Sequence, residues 1–166
     1  MILKRMKRRH SRAQAVELCE ELRSLRPDVV FGADVIAGFP TETEAMFENT
    51  LDLISDCGLT WLHVFPYSER PGTPASRMPP VEIAERKSRA VRLRAAGDTA
   101  ARQYLDSRIG ITEEILLETQ TKGHTTAFAP IEIGSPGTPG DIVTARVDRV
   151  DANGRLQATL IARRAA

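Results

Sequence analysis

The sequence predicts an α/β arrangement followed by a small all-β module, and three observations carry this. Up to about residue 108, apolar runs of strand length alternate with stretches of helical period. Beyond Gly110 the helical period stops, and short β-rich runs separated by Gly, Pro and Asn-Gly take over. Between the two lies one long charged helical stretch opened by Pro79-Pro80. The expected units are therefore 1–108 and 109–166. At 166 residues, with 42% hydrophobic and 27% charged residues, the chain has material for one medium core or two small ones.

From Ser11 to Leu25, the apolar residues Ala15, Leu18, Cys19, Leu22 and Leu25 follow helical spacing, Ser11 with Gln14 forms a capping box, and Arg26-Pro27 stops the helix. Val29 to Ala37 is apolar and β-branched without polar alternation, which predicts a parallel strand buried on both faces with Asp34 as an enclosed carboxylate. Thr41 reads as the next N-cap with Glu44 completing its box. Met46, Phe47, Leu51, Ile54 and Cys57 stripe the helix, and Gly58 ends it. Trp61 to Phe65 is a second short strand before the turn-rich "PYSERPGTPASRMPP".

The long helix should run from Pro79-Pro80 to about Arg108, supported by pairs four apart, Glu82 with Arg86 and Glu85 with Arg89. The β runs that follow are Glu113 to Glu118, Thr125 to Ile133, Ile142 to Val150 and Arg155 to Ile161, with "GSPGTPG" and Asn153-Gly154 as connections. Asn-Gly between two such runs signals a hairpin. A five-stranded barrel of this size is a common nucleic-acid scaffold, although sandwiches and structural caps share the pattern.

The net charge of +1 conceals an uneven distribution, because Lys4, Arg5, Lys7, Arg8, Arg9 and Arg12 all precede the first acidic residue, Glu17. Such a start attracts phosphate, or is a solvated helix face. No run approaches the ~20 apolar residues of a membrane span, and the first ten residues lack the apolar core of a secretion signal. The expectation is a cytoplasmic protein with no membrane partner. Cys19 and Cys57 are too few and too far apart for a metal motif or a disulfide framework, and read as buried free thiols.

In parallel α/β folds, binding groups gather where strands end. Asp34, Ile36 and Gly38 share one side of their strand. Gly38 would let a flat ligand approach the backbone, and the next helix N-terminus would offer N–H groups. Equally, Asp34 is a hydrogen-bonded structural carboxylate and Gly38-Phe39-Pro40 a tight turn. The second strand ends in "HVFPYSERPGT", which gathers His63, Tyr67, Ser68, Glu69 and Arg70 at the equivalent position. His63 is an acid, a base, a metal ligand or a packing residue; Tyr67 stacks on a base or caps the barrel; Arg70 meets a phosphate, a carboxylate or a surface ion-pair partner. An unrelated enzyme using Asp34 and His63 as an acid/base pair lacks support from any nucleophile motif or phosphate loop.

Three segments, "LKRMKRR" (Leu3 to Arg9), "DVIAGFPTET" (Asp34 to Thr43) and "LHVFPYSERPGTPA" (Leu62 to Ala75), resemble the C-terminal half of radical S-adenosylmethionine methylthiotransferases. The third looks most like the branch that converts N6-threonylcarbamoyladenosine at tRNA position 37 to its 2-methylthio form. The resemblance implies that 1–108 is the C-terminal part of a radical-SAM, TIM-like partial barrel and 109–166 a TRAM-like β-barrel that holds RNA. It implies S-adenosylmethionine as cofactor, lined by Ile36, Gly38, Phe39, Pro40, His63, Phe65 and Tyr67 with Asp34 at the rim. Arg8 would face its carboxylate, and Arg70 and Thr73 the tRNA substrate.

Family members carry a CxxxCxxC triplet for one [4Fe-4S] cluster and an N-terminal domain with a second. Their cluster cleaves the cofactor reductively, a hydrogen is taken from C2 of the adenine, and the second cluster supplies sulfur. Cys19 and Cys57 match neither cluster. The resemblance therefore implies no metal ligand or catalytic group in this chain, inactivity alone, and a partner in the missing N-terminal part or a companion chain. A stand-alone RNA-binding module is the alternative, weakened by the acidic residues between 113 and 151. Thr41 stands where many relatives have glycine.

Overall fold

Two parallel strands, β1 (Phe31–Ala37) and β2 (Leu59–Pro66), form the sheet of the first half in the computed structural model, which describes residues 1–163. The helices preceding and following them are α1 (Ile2–Arg5), α2 (Arg12–Leu25), α3 (Glu44–Cys57) and α4 (Ile83–Ser107), with a 3-10 turn at Ala75–Arg77. The chain divides into two units, Met1–Ala101 and Arg102–Ala166, and α4 runs through the division.

In the first unit, helices cover one face of the sheet. Ala37, Phe47, Ile54, Cys57, Leu59, Ala90 and Leu93 are buried together, with Phe31, Ala33, Val35, Leu62 and Val64 packed against them. Phe47 and Leu93 are fully buried, each contributing about 2–3 kcal/mol through area removed from water. The other face carries Gly32, Asp34 and His63, all exposed. This corrects the expectation of a strand covered on both faces and of an enclosed Asp34. The absence of polar alternation arises because the outward side of β1 includes Gly32 and Ile36, which read as core from composition alone.

Local signals fix the helix ends. Ser11 and Gln14 form the expected reciprocal capping box, and Gly58 caps α3 in the left-handed conformation, φ 58° and ψ 48°. The N-cap of α3 is Thr43, whose hydroxyl accepts from the Met46 N–H, and not Thr41. Thr41 sits in the preceding turn with φ 69°. Along α2, Val16 and Cys19 pack inward, whereas Leu18, Leu22 and Leu25 are exposed at 53%, 39% and 76%. The inward face thus runs through residues 12, 16, 19 and 23 rather than through the leucines.

The second unit is a closed barrel of β3 (Thr112–Leu117), β4 (Lys122–Thr125), β5 (Pro130–Ile133), β6 (Ile142–Val150) and β7 (Leu156–Arg163), in the order β3-β4-β5-β7-β6. The single run expected over Thr125 to Ile133 is two strands, because Phe128 turns the chain with φ 61° and its N–H donates to the Thr125 carbonyl. Ile115, Leu117, Ile131, Ile133, Val143, Val147 and Leu156 alternate inward and fill the interior. Asn153-Gly154 makes the expected hairpin between the antiparallel β6 and β7.

Candidate functional site

Parallel pairing sets Asp34 opposite His63 and Ile36 opposite Phe65 on the open face of the sheet. Asp34 and His63 are exposed, Ile36 is half-buried and Phe65 is 52% exposed. Alternation fixes this face, since Ala33, Val35, Leu62 and Val64 point the other way into the core. A carboxylate, an imidazole and a short apolar ledge are thereby displayed side by side.

The two strand ends are joined. The Tyr67 N–H donates to the Ala37 carbonyl at 2.8 Å, and the Phe39 and Tyr67 rings meet edge to face with centroids 5.4 Å apart. The Arg86 guanidinium lies 5.4 Å from the Tyr67 ring centroid and donates to its carbonyl at 3.4 Å. The Tyr67 hydroxyl is buried without a hydrogen-bond partner among the described residues. Such a group costs about 1–3 kcal/mol unless something satisfies it.

Gly38, Phe39 and Pro40 have a different role from that expected of them. All three are buried. Gly38 has φ 73°, and a Cβ there would lie 2.6 Å from Cγ of Arg86, so its bareness admits the stem of α4 rather than a flat ligand. Its N–H donates to Oε2 of Glu42 at 2.9 Å, the Glu42 N–H to the Phe39 carbonyl, and the Thr41 N–H to the Pro79 carbonyl. The turn commits these N–H groups to Glu42, Phe39 and Pro79, and at the helix N-terminus expected to offer donors the Met46 N–H already goes to the Thr43 hydroxyl.

Sequence reasoning missed the group that holds this turn. Arg89, on the buried side of α4, donates from Nη1 to Oε2 of Glu42 at 2.9 Å and to the Glu42 carbonyl at 3.0 Å. It also donates from Nη2 to Glu44 at 3.2 Å and from Nε to Glu85 at 2.9 Å. The side chains of Arg89 and Glu42 are 6% and 3% exposed. Burial raises the Glu42 carboxyl above its ordinary range, against the lowering effect of the Gly38 N–H and of Arg89. One signal was available: Arg89 directly precedes Ala90 and Leu93 on the core-facing side of the helix. The pair Glu85 to Arg89 formed as expected, but Arg86 turns to Tyr67 and to the Val81 carbonyl.

Of the basic start, the structure brings Arg5 rather than Arg8 to the turn: Arg5 donates to the Thr41 hydroxyl, which donates to the Pro40 carbonyl. Arg8 and Arg70 are exposed. The Thr73 hydroxyl donates to the Arg70 carbonyl at 2.8 Å and accepts from the Ser76 N–H at 3.3 Å, which occupies it locally. In the second unit, Phe128 is 76% exposed on its strained turn with the His124 ring 6.1 Å away, and Glu118 lies 3.1 Å from His124. Glu113 is buried against Arg108 at 2.6 Å.

S-adenosylmethionine presents a flat adenine with polar groups around it, and the apolar ledge of Ile36 and Phe65 beside Asp34 and His63 has the chemistry to receive such a shape. An iron–sulfur cluster does not fit this chain's donors: Cys57 lies in the helix-covered core with Cys19 packed against that core. Among the described residues no three His, Cys, Asp or Glu side chains are grouped to hold a metal.

No family model matches the chain. It is 51% identical over 147 residues, 89% of its length, to the threonylcarbamoyladenosine tRNA methylthiotransferase MtaB of Rickettsia prowazekii. It is 36% identical over 159 residues to the tRNA-2-methylthio-N(6)-dimethylallyladenosine synthase of Ruegeria pomeroyi, and 42% over 122 residues to the synthase of that name from Magnetococcus marinus. The chain spans 35% and 36% of the first two. With these identities extending over both the α/β unit and the barrel, the chain belongs to the methylthiotransferase family and corresponds to the C-terminal part of its members.

Proposed function

We propose that this chain contributes the cofactor-facing and RNA-holding part of a tRNA methylthiotransferase acting on N6-threonylcarbamoyladenosine at position 37. The first unit would be part of a radical-SAM barrel and the second a TRAM-like module. The observation that carries the reading is the pairing of Asp34 with His63 and Ile36 with Phe65 on the open sheet face, in a chain 51% identical to a threonylcarbamoyladenosine tRNA methylthiotransferase. The lower identities to dimethylallyladenosine synthases favour the threonylcarbamoyl substrate.

In this reading Ile36 and Phe65 receive the adenine of S-adenosylmethionine, while Asp34 and His63 meet its polar rim. The cofactor supplies radical chemistry when bound. Tyr67 offers the unpartnered hydroxyl, and the Glu42–Arg89 pair holds the turn of Gly38, Phe39 and Pro40 behind it. Arg8 is the candidate for the cofactor carboxylate, and Arg70 and Thr73 for the substrate side. On the barrel, exposed Phe128 beside His124 offers a stacking surface for an unpaired base. The iron–sulfur clusters, and the sulfur they deliver, lie with the rest of the enzyme, and we place the complete enzyme in the cytoplasm.

Equilibrium dialysis of the chain with radiolabelled S-adenosylmethionine tests the cofactor half. Saturable binding should weaken about tenfold in Asp34→Asn, as a charged hydrogen bond is lost, and comparably in Phe65→Ala. Binding indifferent to both substitutions, or no saturable binding, would overturn the assignment.

A further inference from the structure

The first unit holds a second feature that the proposed reaction does not use. Residues 12, 16, 19 and 23 share one face of α2, spaced four, three and four apart. Arg12 forms an ion pair with Asp56 and donates to the Asn49 carbonyl at 3.2 Å, while Arg23 donates to the carbonyl of Cys57 at 2.8 Å. Val16 and Cys19 lie between these two anchors and pack against the buried cluster that includes Cys57. Two positions of α2 that flank Cys19 are therefore pinned to the last turn of α3, where Cys57 sits. Both cysteines are free thiols, Cys19 half-buried and Cys57 buried.

We propose that Cys19 and Cys57 form a two-electron thiol–disulfide couple, closed by a small-molecule disulfide such as oxidised glutathione, that ties α2 covalently to α3. The half-exposed Cys19 reacts first. Its thiolate attacks one sulfur of oxidised glutathione, a Cys19–glutathione bond forms, and one glutathione thiolate leaves. The Cys57 thiolate then attacks Cys19 Sγ, the protein disulfide forms, and the second glutathione thiolate leaves. The protein loses two hydrogens and the oxidant becomes two thiols. Burial, and then the neighbouring Cys19 thiol, push Cys57 up to about 11, which leaves the more exposed Cys19 to react first.

The test treats the reduced, folded chain with oxidised glutathione, quenches with acid and reads intact mass and linked peptides. The expected result is loss of two hydrogens with no retained glutathione and a peptide joining Cys19 to Cys57. Cys57→Ser should instead retain one glutathione on Cys19, and Cys57→Ala, which keeps the site apolar, serves if the serine variant fails to fold by circular dichroism. Glutathione retained by the unsubstituted chain, a disulfide between two chains, no reaction at all, or closure only in denaturant would each overturn the proposal. None of these outcomes depends on cofactor or tRNA binding.

Discussion

Glu42 and Arg89 show how much one buried pair controls. A buried ion pair contributes little net stability by itself, because desolvation offsets attraction, but removing one partner strands the other. Arg89→Met is expected to destabilise the first unit by about 3–5 kcal/mol, measured by urea unfolding. Glu42→Gln should cost less, since the amide oxygen still accepts from the Gly38 N–H and Arg89 keeps Glu44 and Glu85. If both variants unfold at the same denaturant concentration as the parent, the pair does not hold the turn. Thr41 makes the opposite case. A β-branched residue at φ 69° is strained, a conformation that glycine adopts without penalty. Thr41→Gly should stabilise by about 0.5–1 kcal/mol, the relief of the left-handed penalty less the added freedom of the unfolded chain. A lower thermal midpoint would show that the Arg5 contact to the hydroxyl outweighs the strain.

Among the elements, several caps and turns were readable, whereas the Thr43 cap, the Phe128 turn and the faces were not. The Ser11 box, the Gly58 cap and the Asn153-Gly154 hairpin follow from a few adjacent residues whose hydrogen bonds are local. The leucines of α2 keep helical spacing yet are exposed, because apolar spacing admits more than one face, and the face that packs is the one whose arginines reach Asp56 and Cys57. The β6–β7 hairpin carries a pH dependence. Asp151 accepts from the Arg155 and Asn153 N–H groups, first the former, and its carboxyl lies below the ordinary 3.8. A depressed folded value gives stability that is complete above 3.8 and lost as pH falls through the lower folded value. Acid unfolding of Asp151→Asn should therefore show a shallower loss of barrel stability below that point than the parent; identical acid profiles would remove Asp151 from the account. Glu42 acts with the opposite sign, because its raised value makes its contribution decline as pH rises above 4.5.

Across the whole molecule, net charge says little and its distribution more. Lys7, Arg8 and Arg9 are exposed near the start of the chain. If they meet phosphates, replacing all three with Gln should reduce the salt slope of anticodon stem-loop binding by about 2–3, close to one counterion per lost contact. An unchanged slope would make them a solvated surface. What the sequence by itself determined is the order of elements, the change from α/β to all-β beyond residue 108 and the family, because these depend on local periodicity, turn chemistry and contiguous motifs. Only the tertiary structure decided that the face of β1 bearing Asp34 is open, that Gly38 makes room for Arg86, that Glu42 and Arg89 bury their charges together, and that Cys19 packs against the core that holds Cys57. Each of these joins residues far apart in the chain, and close packing between separate elements leaves no periodic trace in either one.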